Sequence, residues 1–433
     1  MRRALALVTV LLAAAAALGE PSPPPYKKIA VIKLREPTEA AIDTSVKTSV
    51  LRRLEEARAW GADCIVFDIE SYGGYVFAAV ETADEIYAVG RNVHTVAYVG
   101  RKAISGAAML SLSCREIVMS ETARIGDSQV VYPSAAGEIV VAPEKAQTTV
   151  ATTFRTYAQG NGYPVPVAEA MVRAEMEVIR YRTRDGGWAY YRADRADELP
   201  TAREKEELGL QEPPELVVRE GELATFSSQE AVKYGICSSI QPDLKSFLAE
   251  LKTRGGGGEQ VAVQVFDWTW AERFSRFLLG IKWLLFLGGA GALYFALKVP
   301  GTGVPEALAI ICFGLFFGAS AIAGFAGAAE LVLFVIGVAL LVVEIFVLPG
   351  FGVAGLLGIG CVLLSIGLAA VPPDTAPPDL PTGTPYLLVQ VAKQFLLGTF
   401  LAVAAVIALA KFLPSPPCSP HSRRPPASTP ACA

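Results

Sequence analysis

The stretch AYVGRKAISGAAMLSLS, residues 97–113, predicts a strand that ends in a tight turn and is followed by a helix of small residues. Ser105 stands at the start of that helix. A serine in this place is commonly a structural N-cap, whose hydroxyl accepts a bond from a helix amide. The same place suits a nucleophile, and the two interpretations require different partners elsewhere in the chain.

The segments around this turn alternate between strand-like and helix-like patterns. Strand-like apolar runs lie at 27–34, 63–69, 95–99 and 115–120, and helical patterns lie at 44–60, 73–89 and 227–236. Alternating strands and helices pack as a parallel sheet with helices on its faces. The sequence therefore predicts an α/β domain built on a parallel sheet.

Two segments interrupt or end this pattern. Residues 181–220 are charged, contain proline and have no clear period, so we expect an insertion or a mobile flap there. RGGGGEQ, residues 254–260, is typical of a flexible linker. The predicted soluble domain is 20–254, and 255–276 is predicted to be a linker and an amphipathic segment.

The remainder of the chain has the composition of a membrane domain. Hydrophobic residues make up 52% of the chain and charged residues 18%, which is too apolar for an ordinary soluble protein. The predicted transmembrane domain, 277–413, contains apolar stretches at 277–297, 306–325, 329–348, 352–371 and 387–413, which predict five spans. VPGTGVPEALAI (299–310) and LPGFGVAGLLGI (348–359) are identical at six of twelve positions, which predicts a duplicated helical hairpin. A Pro-rich disordered tail is expected at 414–433.

The amino terminus predicts the orientation. Arg2 and Arg3 precede an apolar run and small residues, which is typical of a signal peptide at 1–19, although an uncleaved anchor is the alternative. Cleavage would place the soluble domain outside the cytoplasm, and five spans would then place the basic tail inside, in agreement with the positive-inside rule. We expect a multi-pass protein of the cell (inner) membrane with its soluble domain extracytoplasmic.

Charge and cysteine content disfavour other classes of function. The net charge is −4 and no domain is basic, so no nucleic-acid partner is expected. Seven cysteines occur without a CxxC pair, which supports neither a zinc site nor a disulfide framework. We expect no metal and no cofactor, and the lipid bilayer is the expected surrounding of the apolar half.

A glycine pair follows the second predicted strand, in DIESYGGYVF at 68–77. Glycines at the start of a helix let backbone N–H groups approach a ligand oxygen, because no side chain stands in the way. Gly73 or Gly74, together with the N–H of Gly106 after the serine, could therefore form an oxyanion hole. A Gly-Gly pair by itself usually marks a turn.

The candidate bases are few. His94 lies before the strand that leads to Ser105, so its direction is unfavourable, and His421 lies in the tail. A lysine can replace histidine only in its neutral form, which burial favours. Lys145, at the start of a predicted helix and followed by Ala, Thr and Val residues, is the better candidate, whereas Lys102 is expected to be solvated.

Several stretches together carry a family resemblance. DIESYGGYVFAA (68–79), VAYVGRKAISGAAMLSLSCREIVMSETARIGD (96–127), EKAQTTVATTFRTYA (144–158), GELATFSSQEAVKYGI (221–236) and LVVEIFVLPGFGVAGLLGIG (341–360) resemble, in this order, the long form of the nodulation-efficiency D (NfeD) family. The family consists of membrane-bound, Clp-class serine proteases. The resemblance covers residues 28 to about 371.

The resemblance implies a Clp/crotonase-like α/β fold followed by an all-α membrane domain. It also implies a Ser-Lys dyad that cleaves peptide bonds, carried by Ser105 and Lys145. Self-association of the protease domain and a stomatin- or prohibitin-like membrane partner, whose hydrophobic tail is cut, are further implications. The chain departs from the family where long members end in a small OB-type barrel. It departs again at Asp127, where we favour a turn residue over a contact to substrate.

Two alternative functions stay open at this point. The first is a non-catalytic membrane scaffold that gathers stomatin-type proteins and needs neither Ser105 nor Lys145. The second is crotonase-type acyl transfer, which shares the fold and a Gly-Gly oxyanion site. The signal peptide and the membrane domain argue against it, because CoA substrates are cytoplasmic.

Overall fold

A computed structural model describes residues 26–35, 41–133, 138–254, 260–299, 302–323, 328–346 and 352–370. These residues form a mixed α/β sheet domain and a helical C-terminal region, as the sequence predicts. The predicted signal peptide at 1–19, the fifth span at 387–413 and the tail at 414–433 lie outside the described residues.

The sheet domain contains strands and helices in alternation. Its strands are β1 (Lys28–Leu34), β2 (Cys64–Ser71), β3 (His94–Ile104), β4 (Glu116–Met119), β5 (Arg124–Gly126), β6 (Val131–Pro133), β7 (Ile139–Val141), β8 (Val178–Arg182), β9 (Trp188–Arg192), β10 (Gln211–Val218), β11 (Thr225–Ser227), β12 (Ser239–Ile240) and β13 (Ala262–Phe266). Its helices are α1 (Thr44–Trp60), α2 (Val76–Gly90), α3 (Gly106–Ser113), α4 (Glu144–Asn161), α5 (Val165–Ala170), α6 (Ala202–Leu208), α7 (Ser228–Lys233) and α8 (Leu244–Arg254). The C-terminal region contributes α9 (Trp270–Gly280), α10 (Lys282–Lys298), α11 (Val304–Ile322), α12 (Ala328–Phe346) and α13 (Val353–Ala370).

The main sheet has the strand order β11-β5-β3-β2-β1-β13, with β4 beside the first half of β3 and β12 beyond β4. Strands β1, β2 and β3 are parallel, and α1 and α2 connect them in turn. Parallel strands end at one common edge of a sheet. Residues 73–74 follow β2 and residues 105–106 follow β3, so the two segments that the sequence singles out meet at that edge.

Both faces of the sheet are buried, which explains the apolar runs in β1, β2 and β3. In β1, Ala30 and Ile32 belong to one core, whereas Ile29 and Val31 belong to the other. Helices α1 to α4 cover the first face, and α8 covers the second with Phe247. The turn at Ser105 leads into α3, on the side of the larger core.

Helix α1 shows how local sequence sets the ends of an element. The side chain of Asp43 accepts a bond from the amide of Val46 at 2.9 Å, and Gly61 ends the helix with φ 81°, a left-handed value that favours glycine. The buried face follows the helical spacing predicted from the sequence and includes Val46, Val50, Leu54 and Ala57.

Residues 181–220, where an insertion or a mobile flap is expected, contain regular structure. Strands β8, β9 and β10 form a separate antiparallel sheet. The buried Arg180 fixes it, since its guanidinium binds Glu215 at 2.7 Å and the carbonyl of Lys233 at 2.5 Å and lies 3.7 Å from the Trp188 ring centroid. An antiparallel sheet that faces solvent on one side does not need a continuous apolar pattern. Its strands are therefore not recognisable as apolar runs in the sequence.

The predicted linker at 255–276 includes regular structure as well. Strand β13 pairs in parallel with β1, from Lys28↔Ala262 to Ile32↔Phe266, and so extends the main sheet. Helix α9 follows and meets α10 at an angle of 71°. The break at Ile281 divides the first predicted span, 277–297, between α9 and α10.

Among the described residues, α11 is long and apolar enough to cross a bilayer, and α9 with α10 pass the same test only as one bent pair. A helix of 19 residues, such as α11, rises by about 28 Å, close to the ~30 Å thickness of the hydrocarbon core. Helices α12 and α13 coincide with the third and fourth predicted spans. The number of crossings and their direction stay predictions.

The repeated segments lead into helices at equivalent positions, because Val304 begins α11 and Val353 begins α13. Helix α13 packs closely on α12, where a Cβ on Gly337 would lie 2.9 Å from the carbonyl of Gly358. The carboxylate of Glu344 accepts bonds from two amides at the start of α13, those of Gly352 and Gly355, at 2.5 and 3.1 Å. The carboxylate thus accepts bonds from N–H groups at the helix start that have no acceptor within the helix.

A carboxylate also holds the amino edge of the main sheet together. Glu116, the first residue of β4, accepts bonds from His94 Nε2 at 3.1 Å, Ser238 Oγ at 2.8 Å and Arg254 Nη1 at 2.7 Å. Burial alone would raise the pKa of Glu116, but these donors outweigh it and lower the pKa from 4.5 to about 2.

Glu116→Gln should destabilise the protein at neutral pH by about 2–3 kcal/mol, or roughly 5–10 °C in melting temperature. Stabilisation by Glu116 is present in full above its unfolded-state pKa and is lost as the pH falls through the folded-state value of about 2. The difference from wild type should therefore shrink below about pH 4.5. Thermal unfolding of the full-length protein in detergent at several pH values measures it. Glu207→Gln, which removes an exposed pair with Arg203, is the control and should change the melting temperature little.

Candidate active site

Ser105 occupies a strained turn between β3 and α3. Its backbone has φ 56° and ψ −125°, a combination that few residues other than glycine adopt. Its amide donates to the carbonyls of Gly126 and Asp127 at 3.0 and 3.1 Å, and its hydroxyl makes no cap bond to the helix. An N-cap serine has extended backbone angles and bonds the helix with its side chain. The N-cap interpretation of Ser105 is therefore wrong.

Gly73 lies directly against this turn. A Cβ on Gly73 would stand 2.6 Å from Ser105 Cβ and 2.8 Å from the amide nitrogen of Gly106, and the residue has φ 90°. Glycine is required at this position, because a Cβ would clash with the turn and because other residues rarely adopt this positive φ. The amide of Gly73 donates to Ser71 Oγ at 3.0 Å. Gly73 therefore lets the backbone pass close to Ser105, but its own N–H is not available to a ligand oxygen.

Gly74 and Gly106 bring their amides to the same place. A parallel bridge to Ile42 uses the carbonyl of Gly73 and the amide of Tyr75, at 2.8 and 2.9 Å, and leaves the N–H of Gly74 pointing away from Ile42. The N–H of Gly106 is one of the helix-start amides that no helix carbonyl accepts. A Cβ on Gly106 would lie 3.7 Å from the Gly74 nitrogen, so the backbone of Gly74 passes close to the start of α3, beside the serine.

A small pocket of about 60 Å³ opens beside Ser105. Its walls come from the segment after β2 with the start of α2, from the Ser105 turn with α3, from the segment that leads into β6, and from α4. Apolar side chains dominate the lining, which consists of Gly74, Val76, Ala79, Ser105, Gly106, Met109, Ser128, Gln129, Val130, Val131, Val150 and Phe154. The pocket can hold one apolar side chain next to the serine hydroxyl.

Two buried polar side chains that the sequence analysis missed shape this pocket. Ser128 Oγ lies 3.3 Å from the carbonyl of Ser105 and donates to it. Gln147 of α4 binds the backbone of Val130 twice, as acceptor at 3.1 Å and as donor at 3.0 Å. Gln147 interrupts an otherwise apolar helix face between Ala146 and Val150, and that interruption is the signal in the sequence that could have identified it.

Lys145 lies on the first turn of α4 and is exposed. The expectation of apolar surroundings for this lysine is wrong for this structure. Helix α4 reaches the pocket through Val150 and Phe154, one and two turns further on, and Lys145 is not among the lining residues. The structure therefore brings together Ser105, Gly73, Gly74 and Gly106, and places Lys145 on the same helix as the pocket wall but outside the pocket.

The other basic candidates occupy distinct positions. His94 begins β3 and binds Glu116, so it lies at the opposite end of the strand from Ser105. Lys102 is half-buried, with its Nζ 3.5 Å from the ring centroid of Tyr72, which differs from the solvated position expected. His421 lies outside the described residues.

Asp127 has the role of a turn residue. Its backbone is left-handed with φ 46°, its amide donates to the carbonyl of Ala224, and its carbonyl accepts from Ser105. Its side chain is exposed. Asp127 thus supports the serine turn through its backbone, which agrees with the interpretation favoured from the sequence.

A larger cavity, of about 1010 Å³, lies at the carboxyl ends of β1 and β2 and does not include Ser105. Charged side chains that bind one another line it, among them the pairs Arg35–Asp68 and Arg101–Glu70. Within the described ranges, no group of three or more His, Cys, Asp or Glu side chains is placed to hold a metal ion. The pocket beside Ser105 is therefore the better candidate for chemistry.

Three solved structures match part of the chain. A variant of the 1510-N membrane-bound stomatin-specific protease with a substrate peptide has a TM-score of 0.39 and 15% identity, over 58% of this chain and 97% of that one. The 1510-N membrane protease specific for a stomatin homolog from Pyrococcus horikoshii has a TM-score of 0.35 and 13% identity, over 58% and 98%. An enoyl-CoA hydratase/isomerase family protein from Silicibacter pomeroyi has a TM-score of 0.30 and 13% identity, over 67% and 96%.

Sequence comparison identifies both parts of the chain. The family model of the NfeD1b N-terminal domain matches residues 34–208, and that of the NfeD integral membrane domain matches residues 280–412. Membrane protein NfeD1b of Bacillus subtilis (strain 168) is 28% identical over 338 residues, which are 77% of this chain and 66%, just under two thirds, of that relative. The chain therefore carries an NfeD1b N-terminal domain, followed by an NfeD integral membrane domain.

Proposed function

We propose that the chain is a membrane-anchored serine endopeptidase that cleaves apolar segments of membrane-associated proteins. The observation that carries the proposal is the strained turn at Ser105, with the amides of Gly74 and Gly106 beside it. A serine with a sterically costly backbone and no cap bond has no evident structural role. Strain of this kind concentrates at functional sites.

In the proposed reaction, Ser105 Oγ attacks the scissile carbonyl carbon while a base removes its proton. The carbonyl oxygen becomes an oxyanion, which the amides of Gly74 and Gly106 stabilise. Collapse of the intermediate breaks the C–N bond, and the base returns the proton to the leaving amine. Water then hydrolyses the acyl-serine by the same steps, and Ser105 is regenerated.

Lys145 is the proposed base, by the family resemblance and by its place on α4. Lys145 must be neutral to accept a proton, and burial favours the neutral form. Because its side chain is exposed, a substrate or another copy of the chain would have to cover it. A substrate chain that fills the pocket between Val131 and Val150 would cover the start of α4. We propose that substrate binding, or self-association of the sheet domain, completes the dyad in this way.

The substrate class follows from the pocket and from its position. The lining is apolar, and β13 runs parallel to β1, so α9 leaves the sheet domain at the same edge that carries Ser105. The active site would then lie on the membrane side of an extracytoplasmic domain. A stomatin-like membrane protein is the partner class that the family resemblance suggests, and an apolar juxtamembrane segment is the proposed target.

A second candidate is a non-catalytic membrane scaffold for stomatin-type proteins. The exposed position of Lys145 favours it, because a scaffold needs no assembled dyad. Acyl-CoA chemistry is disfavoured, since a pocket of about 60 Å³ is far below the ~300–1,000 Å³ typical of sites for larger ligands.

A fluorophosphonate probe should label the wild-type protein at Ser105, because an activated serine beside two free amides attacks phosphorus as it attacks a carbonyl. Peptide mapping of the labelled full-length protein in detergent locates the adduct. Ser105→Ala should abolish the label, and Ser246→Ala should keep it, because Ser246 lies in α8 on the opposite face of the sheet. A wild-type protein without label would favour the scaffold.

Lys145→Ala and Lys145→Arg should both reduce kcat/KM for an apolar peptide by about 100- to 10,000-fold, the usual contribution of a general base. Arginine keeps the positive charge but stays protonated, so it cannot accept the proton. Lys205→Arg, on the exposed helix α6, is the control and should retain full activity. Substantial cleavage by Lys145→Arg would remove Lys145 from the mechanism and direct attention to Lys102.

Val131→Asp should lower kcat/KM for peptides with an apolar residue before the scissile bond by about 10- to 100-fold. The new carboxylate would stand in the wall of the pocket and would be desolvated by an apolar substrate side chain. Steady-state kinetics with a peptide series measures the effect. Ile139→Asp, also at an exposed position but on the paired strand β7 and outside the pocket, should leave the series unchanged.

A further inference from the structure

Helix α9 exposes three aromatic side chains. Trp270, Phe274 and Phe277 are 77%, 37% and 62% exposed. They follow one another at intervals of four and three residues, so they form one aromatic stripe along the helix. The rings of Trp270 and Phe274 stack with centroids 5.1 Å apart and planes within 7°.

The charged face of α9 is the face that the sheet domain covers. Both carboxylate oxygens of Glu272 bind the guanidinium of Arg52 in α1, at 2.9 and 2.8 Å. Arg276 donates to Ser45 Oγ at 2.6 Å and lies 3.6 Å from Asp43. A surface helix of a water-soluble protein has the opposite arrangement, with its apolar face inward. The inversion indicates that the aromatic stripe has apolar surroundings.

The junction fixes α9 in this orientation. The Trp268 ring lies between the guanidinium groups of Arg53 and Arg276, at 5.1 and 5.2 Å. Thr269 and Glu272 form a capping box at the first turn of the helix. Rotation of α9 to bury its stripe would break these contacts, so the exposure is built into the fold.

Helix α9 also lies at the depth where a membrane surface is expected. Ser275 Oγ donates to the carbonyl of Ala319 at 2.7 Å, three residues before the end of α11 at Ile322. Helix α9 meets α10 at 71°, and α10 packs beside α11. Membrane helices are tilted by about 20° on average, so a helix at 71° to such a hairpin lies close to the plane of the bilayer.

We propose that α9 is an interfacial helix whose stripe of Trp270, Phe274 and Phe277 inserts at the boundary between lipid headgroups and acyl chains. Aromatic side chains favour this depth. Arg273, beside the stripe, binds Asp267 at 3.1 Å and is 53% exposed, so its exposed part would lie at the level of the lipid phosphates. The helix thereby sets the height and tilt of the sheet domain on the bilayer, whether or not that domain is catalytic.

Lipid fits the stripe better than a second copy of the chain. The stripe leads directly into the NfeD integral membrane domain, which begins at residue 280. A stable interface between copies buries about 800 Å² on each partner, and three side chains in one row offer much less.

Tryptophan quenching in reconstituted protein tests the depth of α9. Full-length protein is placed in phosphatidylcholine vesicles whose acyl chains are plain or brominated near the headgroup, and iodide is the quencher in water. The emission of wild type minus that of Trp270→Phe isolates Trp270 from the other four tryptophans. We expect the brominated lipid to reduce this component about twofold or more and iodide to leave it nearly unchanged.

Two further variants sharpen the result. Phe277→Trp in the Trp270→Phe background should report the same depth two turns further along α9. Trp188→Phe isolates an exposed tryptophan of the sheet domain, and that component should respond to iodide and not to brominated lipid. Quenching of Trp270 by iodide alone would place the stripe in water and overturn the proposal. Protection of Trp270 from both quenchers would show that protein covers it, and would overturn the proposal equally.

Discussion

The arrangement of the site depends on one close contact, the packing of Gly73 against the turn at Ser105. A side chain at position 73 would stand 2.6 Å from Ser105 Cβ, so the ends of β2 and β3 can meet only when glycine is there. The carbonyls of Gly126 and Asp127 hold the turn from the side of β5. Left-handed backbone at a non-glycine residue costs of the order of 1–3 kcal/mol, which three strands and the core around them offset.

Much of this arrangement could be predicted from the sequence because it is encoded locally. Burial on both faces makes the strands continuously apolar, and the positions after β2 and β3 are marked by a glycine pair and by Ser105. The different tasks of Gly73 and Gly74 could not be predicted. They depend on which amide the bridge to Ile42 uses, and that pairing joins residues that are distant in sequence.

The errors have a common physical cause, the use of sequence neighbours in place of spatial ones. Lys145 is followed by Ala146, Gln147 and Val150, which are buried, but helical geometry turns Lys145 onto another face of α4. The break at Ile281 could not be predicted from the sequence for a similar reason. Helices α9 and α10 are both rich in apolar residues, so composition does not separate them, and the angle of 71° between them appears only in the structure.

The direction of one strand connects the site with the membrane. If β13 were antiparallel to β1, α9 would leave the sheet domain at the edge held by Glu116, and Ser105 would face away from the bilayer. Because β13 is parallel, α9 begins at the carboxyl edge, three strand positions or about 15 Å along the sheet from β3. In the membrane-anchored arrangement that we propose, α9 would attach the sheet domain to the bilayer at this edge. The pocket beside Ser105 would then lie on the side of the domain where apolar segments leave the membrane.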